Sequence, residues 1–197
     1  MATKYEYQES ITSEISTSYD FGQSFTVGTV GTNENFTLTS IKLKIQETTG
    51  AGTLYVSVYL ADGSGYPTGE VLSSGSFNYT SSYNDYADIT MSSYELVTST
   101  KYCILLNPTT ETLAVKIKDS DVYAGGTFIY STGTWTSVPW DIYFQVYGEP
   151  AATGTNMQIN IGDAWKPISA MQINIGDAWK PIASAKINIG DEWKTIF

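Results

Sequence analysis

The chain has 197 residues, with 20 acids against 10 basic residues that are all lysine, and it holds neither arginine nor histidine. Positions 1–150 carry 16 acids and 6 lysines, so the whole formal charge of −10 lies there, while the remainder is neutral at 4 against 4. An acidic chain without arginine lacks the basic stripe a phosphate backbone needs and is repelled by anionic bilayers, which speaks against nucleic acid and membrane as partners.

The absence of histidine removes the Ser-His-Asp triad, the Cys-His pair and His-ligated metal sites, and no cofactor is expected. The opening MATKYEYQESITSEIS has no basic stretch followed by an apolar one, so no secretory signal is predicted. No window approaches the ~18 apolar residues of a membrane span. The expected product is made in a cytoplasm and does not leave by the general secretory route.

Residues 1–19 are rich in Ser, Thr and Tyr and predict an arm or a first edge strand. Strand-like segments then recur at 23–27, 36–45, 53–60, 71–78, 87–91, 101–106, 113–118, 127–130 and 141–147. Three of them alternate strictly: Ile41, Leu43 and Ile45 with Lys42 and Lys44; Leu54, Val56, Val58 and Leu60 with Tyr55, Ser57 and Tyr59; Ile142, Phe144 and Val146 with Tyr143, Gln145 and Tyr147. Alternation of period two marks strands with one buried face, and no segment of helical period stands out. The expected fold is all-β: an antiparallel β-sandwich, jelly-roll-like, over residues 1–148. Gly148 through Thr155 is a run of small residues and Pro, so 149–156 is predicted as a linker.

From Met157 the sequence says one thing three times: MQINIGDAWKPISA, MQINIGDAWKPIAS, AKINIGDEWKTIF, in a strict register of 14 residues. Each unit of 157–197 reads as a β-hairpin around Gly-Asp. A three-residue loop is expected, with Ile161 opposite Trp165, because that register sorts apolar from polar faces. Pro167 and Pro181 lack the ladder N–H and belong to edges or strand ends. A lone hairpin is marginal in water. Ile159, Ile161 and Trp165, with their equivalents Ile173, Ile175, Trp179, Ile187, Ile189 and Trp193, are therefore the expected oligomerisation or anchoring residues, and a homotrimer is the expected assembly.

The iterated x-I-N-I-G-D-x-W-K-x-I resembles the short G-x-x-W-K repeats at the C-termini of tailed-bacteriophage virion proteins, including tail fibres and other appendages. Gly-Asp stands here where that pattern often has Gly-Gly. Over residues 20–148, Gln23-Ser24-Phe25, Pro67-Thr68-Gly69, Lys101-Tyr102 and 143–148 resemble the jelly-roll domains appended to secreted bacterial and phage surface proteins. Such domains are carbohydrate-binding-like and generally not catalytic. The resemblance implies a non-enzymatic virion protein (capsid decoration, head fibre or tail-fibre-like appendage) whose partners are its own copies, other virion proteins and a host surface glycan. The alternative is a monomeric carbohydrate-binding module of a bacterial surface protein.

Candidate chemistry is sparse. Asp119/Asp121 and Asp85/Asp88 lie in loops rich in Ser, Tyr and Asn and read as solvated carboxylates rather than a glycosidase pair. Asp62-Gly63-Ser64-Gly65 offers oxygen ligands to Ca²⁺ but reads first as turn chemistry. Cys103 has no disulfide partner in the chain and reads as a buried hydrophobe. Tyr66, Tyr123, Trp135 and Trp140, aromatic residues of loop segments, are the candidate ligand contacts. They suit a sugar ring, a protein interface or a tyrosine-rich sandwich edge without a ligand.

Overall fold

The structure, a computed structural model, describes residues 2–16, 19–46, 49–109 and 113–151, and beyond them the backbone of six short strands between 158 and 195. The chain divides into two compact units, Met1–Ala151 and Ala152–Phe197.

The first unit is built from β1 (Thr3–Gln8), β2 (Ser13–Ser16), β3 (Phe21–Thr26), β4 (Phe36–Gln46), β5 (Gly52–Ala61), β6 (Pro67–Tyr79), β7 (Tyr86–Leu96), β8 (Lys101–Pro108), β9 (Ala114–Lys118), β10 (Phe128–Ser131), β11 (Trp135–Val138), β12 (Asp141–Ile142) and β13 (Phe144–Pro150). They form two antiparallel sheets. In the first, β1 pairs with β13, β13 with β4, and β4 with β7; past Lys44, β4 turns to β9, which also pairs with β2 and β12. The second sheet runs β11-β10-β3-β8-β5-β6. The fold is an all-β sandwich.

Alternation builds the core as expected except at Leu60, which is 43 % exposed because the β5–β6 register shifts between Val58 and Leu60. Ile41, Leu43 and Ile45 on β4, Leu54, Val56 and Val58 on β5, and Phe144 and Val146 on β13 are buried between the sheets. Phe144 packs edge-on to Tyr123 at 5.2 Å and tilts against Phe25 at 6.1 Å.

Strict alternation fails at β1. A register shift between Lys4 and Glu6 lets the consecutive Tyr5 and Glu6 both turn inward, while Lys4 and Tyr7 face outward opposite Tyr147 and Gln145. Of the two forms expected for the start of the chain, an arm or a first edge strand, β1 is the second, an edge strand paired with β13. Segment 71–78 begins earlier, at Pro67, and 87–91 extends to Leu96 behind a second bulge between Leu38 and Ser40.

Glu6 is held by a turn. Its carboxylate accepts hydrogen bonds from the backbone N–H of Gly28 (2.5 Å), Thr29 (2.8 Å) and Val30 (3.3 Å) and from the Tyr123 hydroxyl (2.8 Å). Gly28 has φ +88, and a Cβ there would collide with the Asn33 side chain, so glycine is required where the turn folds over the carboxylate. Across the core, Asp141 accepts from Gln23 Nε2 (3.0 Å) and from the N–H groups of Val122 (2.8 Å) and Tyr123 (2.9 Å). Gln23 returns the bond by accepting from Ile142 N–H (2.9 Å), which ties β3 of one sheet to β12 of the other.

Cys103 is buried, and burial pushes its thiol far above the ordinary range. The native protein is expected to resist 5,5′-dithiobis(2-nitrobenzoate), with one thiol per chain released only on denaturation; rapid labelling of native protein would contradict this.

The second unit contains β14 (Gln158–Ile161) with β15 (Ala164–Pro167), β16 (Gln172–Ile175) with β17 (Ala178–Pro181), and β18 (Lys186–Ile189) with β19 (Glu192–Thr195). Each pair is a separate two-stranded antiparallel sheet. The register corrects the sequence reading: Ile161 pairs with Ala164 and Ile159 with Lys166, and the same offset recurs in the other two units. Only two residues connect the strands. Glycine in the first of two loop positions is what a tight hairpin turn favours, and that preference outweighs the sorting of side chains by face. The side chains of the nine expected assembly residues, from Ile159 to Trp193, lie outside the described residues.

Candidate functional site: the tyrosine face of the first sheet

Because Phe144 and Val146 point inward, Tyr143, Gln145 and Tyr147 project from the opposite face of the first sheet. Gln145 pairs with Tyr7 on one side and with Lys42 on the other, and Lys42 pairs in turn with Asp88. Lys44 pairs with Tyr86. The four strands thereby assemble one surface of tyrosine, lysine, amide and carboxylate. A cleft of about 520 Å³ opens on it, lined by Glu9, Lys42, Tyr86, Tyr143, Gln145 and Tyr147.

Gln145 organises the cleft. Its Oε1 accepts from the Tyr147 hydroxyl (2.8 Å), and its Nε2 donates to Tyr143 Oη (2.7 Å) and Glu9 Oε1 (2.5 Å). The Tyr143 ring lies 5.6 Å from that of Tyr86, tilted by 51°. Burial first, then the neighbouring Tyr86 hydroxyl, raises the Tyr143 phenol well above the ordinary tyrosine range, so it stays a neutral donor. The amide and phenols are therefore held in fixed orientations before any ligand arrives.

Each lysine stands over a ring: Lys4 over Tyr7 at 3.9 Å, Lys44 over Tyr86 at 4.3 Å and Lys42 over Tyr147 at 5.4 Å. Each also pairs with a carboxylate, Lys4 with Glu9 (2.6 Å), Lys42 with Asp88 (3.5 Å) and Lys44 with Asp85 (3.5 Å). The Tyr86 backbone N–H, with Lys44 contributing, holds the Asp85 carboxyl below its usual range. These three cations and three carboxylates make the face neutral, in a unit that otherwise carries a large negative charge. Among the described residues no group of three or more Cys, Asp or Glu side chains could hold a metal ion.

None of the four aromatic residues expected to touch ligand lines this cleft. Tyr123 is a correction: at 2 % exposure, with its hydroxyl spent on Glu6, it offers no face to a ligand. Trp140 leans on Phe128 at 6.0 Å in a separate apolar slot of about 300 Å³ that also involves Ile15, Tyr130 and Val138. Trp135 is half-buried opposite Ser131 at the start of edge strand β11. Tyr66 is half-buried after β5, its N–H bonded to Asp62 Oδ1 (2.9 Å). Asp62 also accepts from Ser64 N–H (2.8 Å), so this loop carries the turn chemistry its sequence favoured. Asp119 accepts from the Thr12 hydroxyl and lies 3.7 Å from Lys118.

No protein family and no curated protein matches this sequence. Solved structures similar in fold include two of one clostridial protein. One is the clostridial cysteine protease Cwp84 after propeptide cleavage, with a TM-score of 0.51 and 15% identity over 76% of this chain and 40% of that one. The other comprises the cysteine protease and lectin-like domains of Cwp84, a surface layer associated protein of Clostridium difficile, with a TM-score of 0.51 and 14% identity over 76% of this chain and 36% of that one. This chain spans less than half the length of either. What it shares with them is the fold, an antiparallel β-sandwich.

Proposed function

We propose that the sandwich is a non-catalytic carbohydrate-binding module that holds a neutral sugar on the tyrosine face. The observation that carries this reading is the bonded row Tyr147–Gln145–Tyr143 lining an open cleft beside Tyr86. The exposed Tyr86 and half-buried Tyr147 rings offer flat apolar surface to the C–H face of a sugar and the Glu9 carboxylate meets its hydroxyls, over a floor in which Tyr143 and Gln145 are buried at 5 % and 8 % exposure. Charge balance across the face suits an uncharged ligand. The presence of a lectin-like domain in one structural neighbour agrees with this reading.

The test is a printed array of defined oligosaccharides probed with the full chain. The wild type is expected to bind a subset of spots, and Tyr147→Ala to weaken that binding about 30-fold, the size of a hot-spot contact of ~2 kcal/mol. Wild-type protein that binds no spot, or Tyr147→Ala and Tyr86→Ala variants that both bind like wild type, would overturn it.

The repeats favour a second, compatible reading: an appendage of a tailed-phage virion, assembled through its tail. Three two-stranded sheets in one shared register are each too small to be stable alone, and further copies of the chain are the natural cover. Light scattering is expected to give a trimer for the full chain and a monomer for a chain ending at Ala151. A monomer in both cases leaves the tail as a spacer and removes this reading.

A further inference from the structure

The second sheet turns another aromatic face outward, away from the tyrosine face of the first. On β5 the buried Leu54, Val56 and Val58 force Tyr55, Ser57 and Tyr59 to the outer side. The neighbouring strand β8 sets Asn107 beside Tyr55 and Leu105 beside Ser57. With Asp20 these residues line a cleft of about 360 Å³. Both strands are interior to their sheet, so the floor is fixed by ladders on each side.

The Tyr55 side chain is left in solvent, at 52 % exposure, and its neighbour on the same side, Tyr59, stands four residues along the strand, about 13 Å away. The small Ser57 between them keeps the floor open. Asn107 Nδ2 donates to Asp20 Oδ1 (2.6 Å), which orients both groups. The second Asp20 oxygen, the Asn107 amide oxygen and the hydroxyls of Tyr55, Ser57 and Tyr59 take no partner among the described residues. Two flat rings and five free polar atoms around one rigid trough are the equipment for a short run of sugar rings: faces for the C–H surfaces, acceptors and donors for the hydroxyls. No lysine is among the described residues that line the trough, so an anionic ligand is disfavoured beside Asp20.

We propose that this trough is a second carbohydrate site, so that one chain bridges two separate glycan strands. The proposal rests on the reading of the tyrosine face as a glycan site. Because the two faces are the outer sides of stacked sheets whose backbones lie ~10 Å apart, one ligand cannot occupy both, and the sites act as two independent valencies.

The same oligosaccharide array distinguishes the outcomes, using full-length wild type, Tyr147→Ala, the Tyr55→Ala/Tyr59→Ala pair, and the two sets combined. A fourth variant, Ser57→Leu, fills the floor from a solvent-facing position. The expected result is residual binding in Tyr147→Ala that falls at least tenfold further when Tyr55 and Tyr59 are removed, with Ser57→Leu acting as the Tyr55/Tyr59 pair does. If Tyr147→Ala abolishes all binding while the trough variants match wild type, the second site is refuted and the first stands. If no variant changes the wild-type pattern, or the wild type binds nothing, both are refuted.

Discussion

Replacing Glu6 with alanine is expected to cost about 3–5 kcal/mol of folding stability, read as a shift in the urea midpoint at unchanged slope. The carboxylate is fully buried and satisfies three backbone N–H groups and one phenol. Removing it leaves four donors without acceptors, each costing ~1–3 kcal/mol if none recovers a partner, so the stated range allows water to satisfy some. Glu6→Gln discriminates between shape and charge. It fills the same space but sets an NH₂ against the Val30 N–H, and should cost about 1–3 kcal/mol. Tyr123→Phe removes a single charge-assisted bond and should cost less than the alanine change. An alanine variant within ~0.5 kcal/mol of wild type would show that the turn at Gly28 closes without its acceptor.

The consequence reaches the surface. Glu6 lies on edge strand β1, which among the described residues has one strand partner, β13. Its inward anchor sets the position of the outward Tyr7 and Lys4 and of Glu9 beyond the strand end, where Glu9 meets Gln145. Loosening the anchor is therefore expected to weaken ligand binding on the tyrosine face even though Glu6 never touches it.

Much of this architecture is legible in the sequence, and the reasons differ by element. In β4, β5 and β13 the apolar residues recur at period two, and burial of one face is the only economical way to place them. That same alternation points Tyr143, Gln145 and Tyr147 outward. It does not tell which strands lie beside them, because pairing depends on contacts between distant segments, and the bulge at Lys4–Glu6 breaks the period of the very strand that completes the face. The sequence alone therefore points to aromatic residues in loops, where binding groups concentrate. Tyr123 shows the weakness of that rule: a loop tyrosine went inward because a buried carboxylate needed a donor. In the repeats, side-chain sorting favours a three-residue connection and the position of the glycine a two-residue one, and the strands pair in the second register.

Acidification from pH 7.5 to 5 is expected to raise the thermal midpoint, and Asp141 is the second group responsible. Burial outweighs the hydrogen bonds at both sites and lifts Asp141 above its ordinary 3.8 and Glu6 above its ordinary 4.5. A carboxyl whose folded value is raised binds its proton more readily in the folded chain than in the unfolded one. Its contribution is fully present below the unfolded value and is lost as pH climbs through the folded value. Lowering the net charge of −10 relieves self-repulsion in the same direction. Asp85 and Asp119, whose values are lowered, act oppositely, but only as pH falls through values below their ordinary 3.8, outside this window. Asp141→Ala is expected to cost about 3 kcal/mol, because Gln23 Nε2 and the Val122 and Tyr123 N–H groups lose their acceptor and the link between β3 and β12 is cut. Asp141→Asn keeps one acceptor, costs less, and should flatten the slope of midpoint against pH, as Glu6→Gln should. Calorimetry at pH 7.5, 6 and 5 decides the matter. A wild-type midpoint that falls steadily on acidification would mean that the donors, not burial, govern both carboxylates.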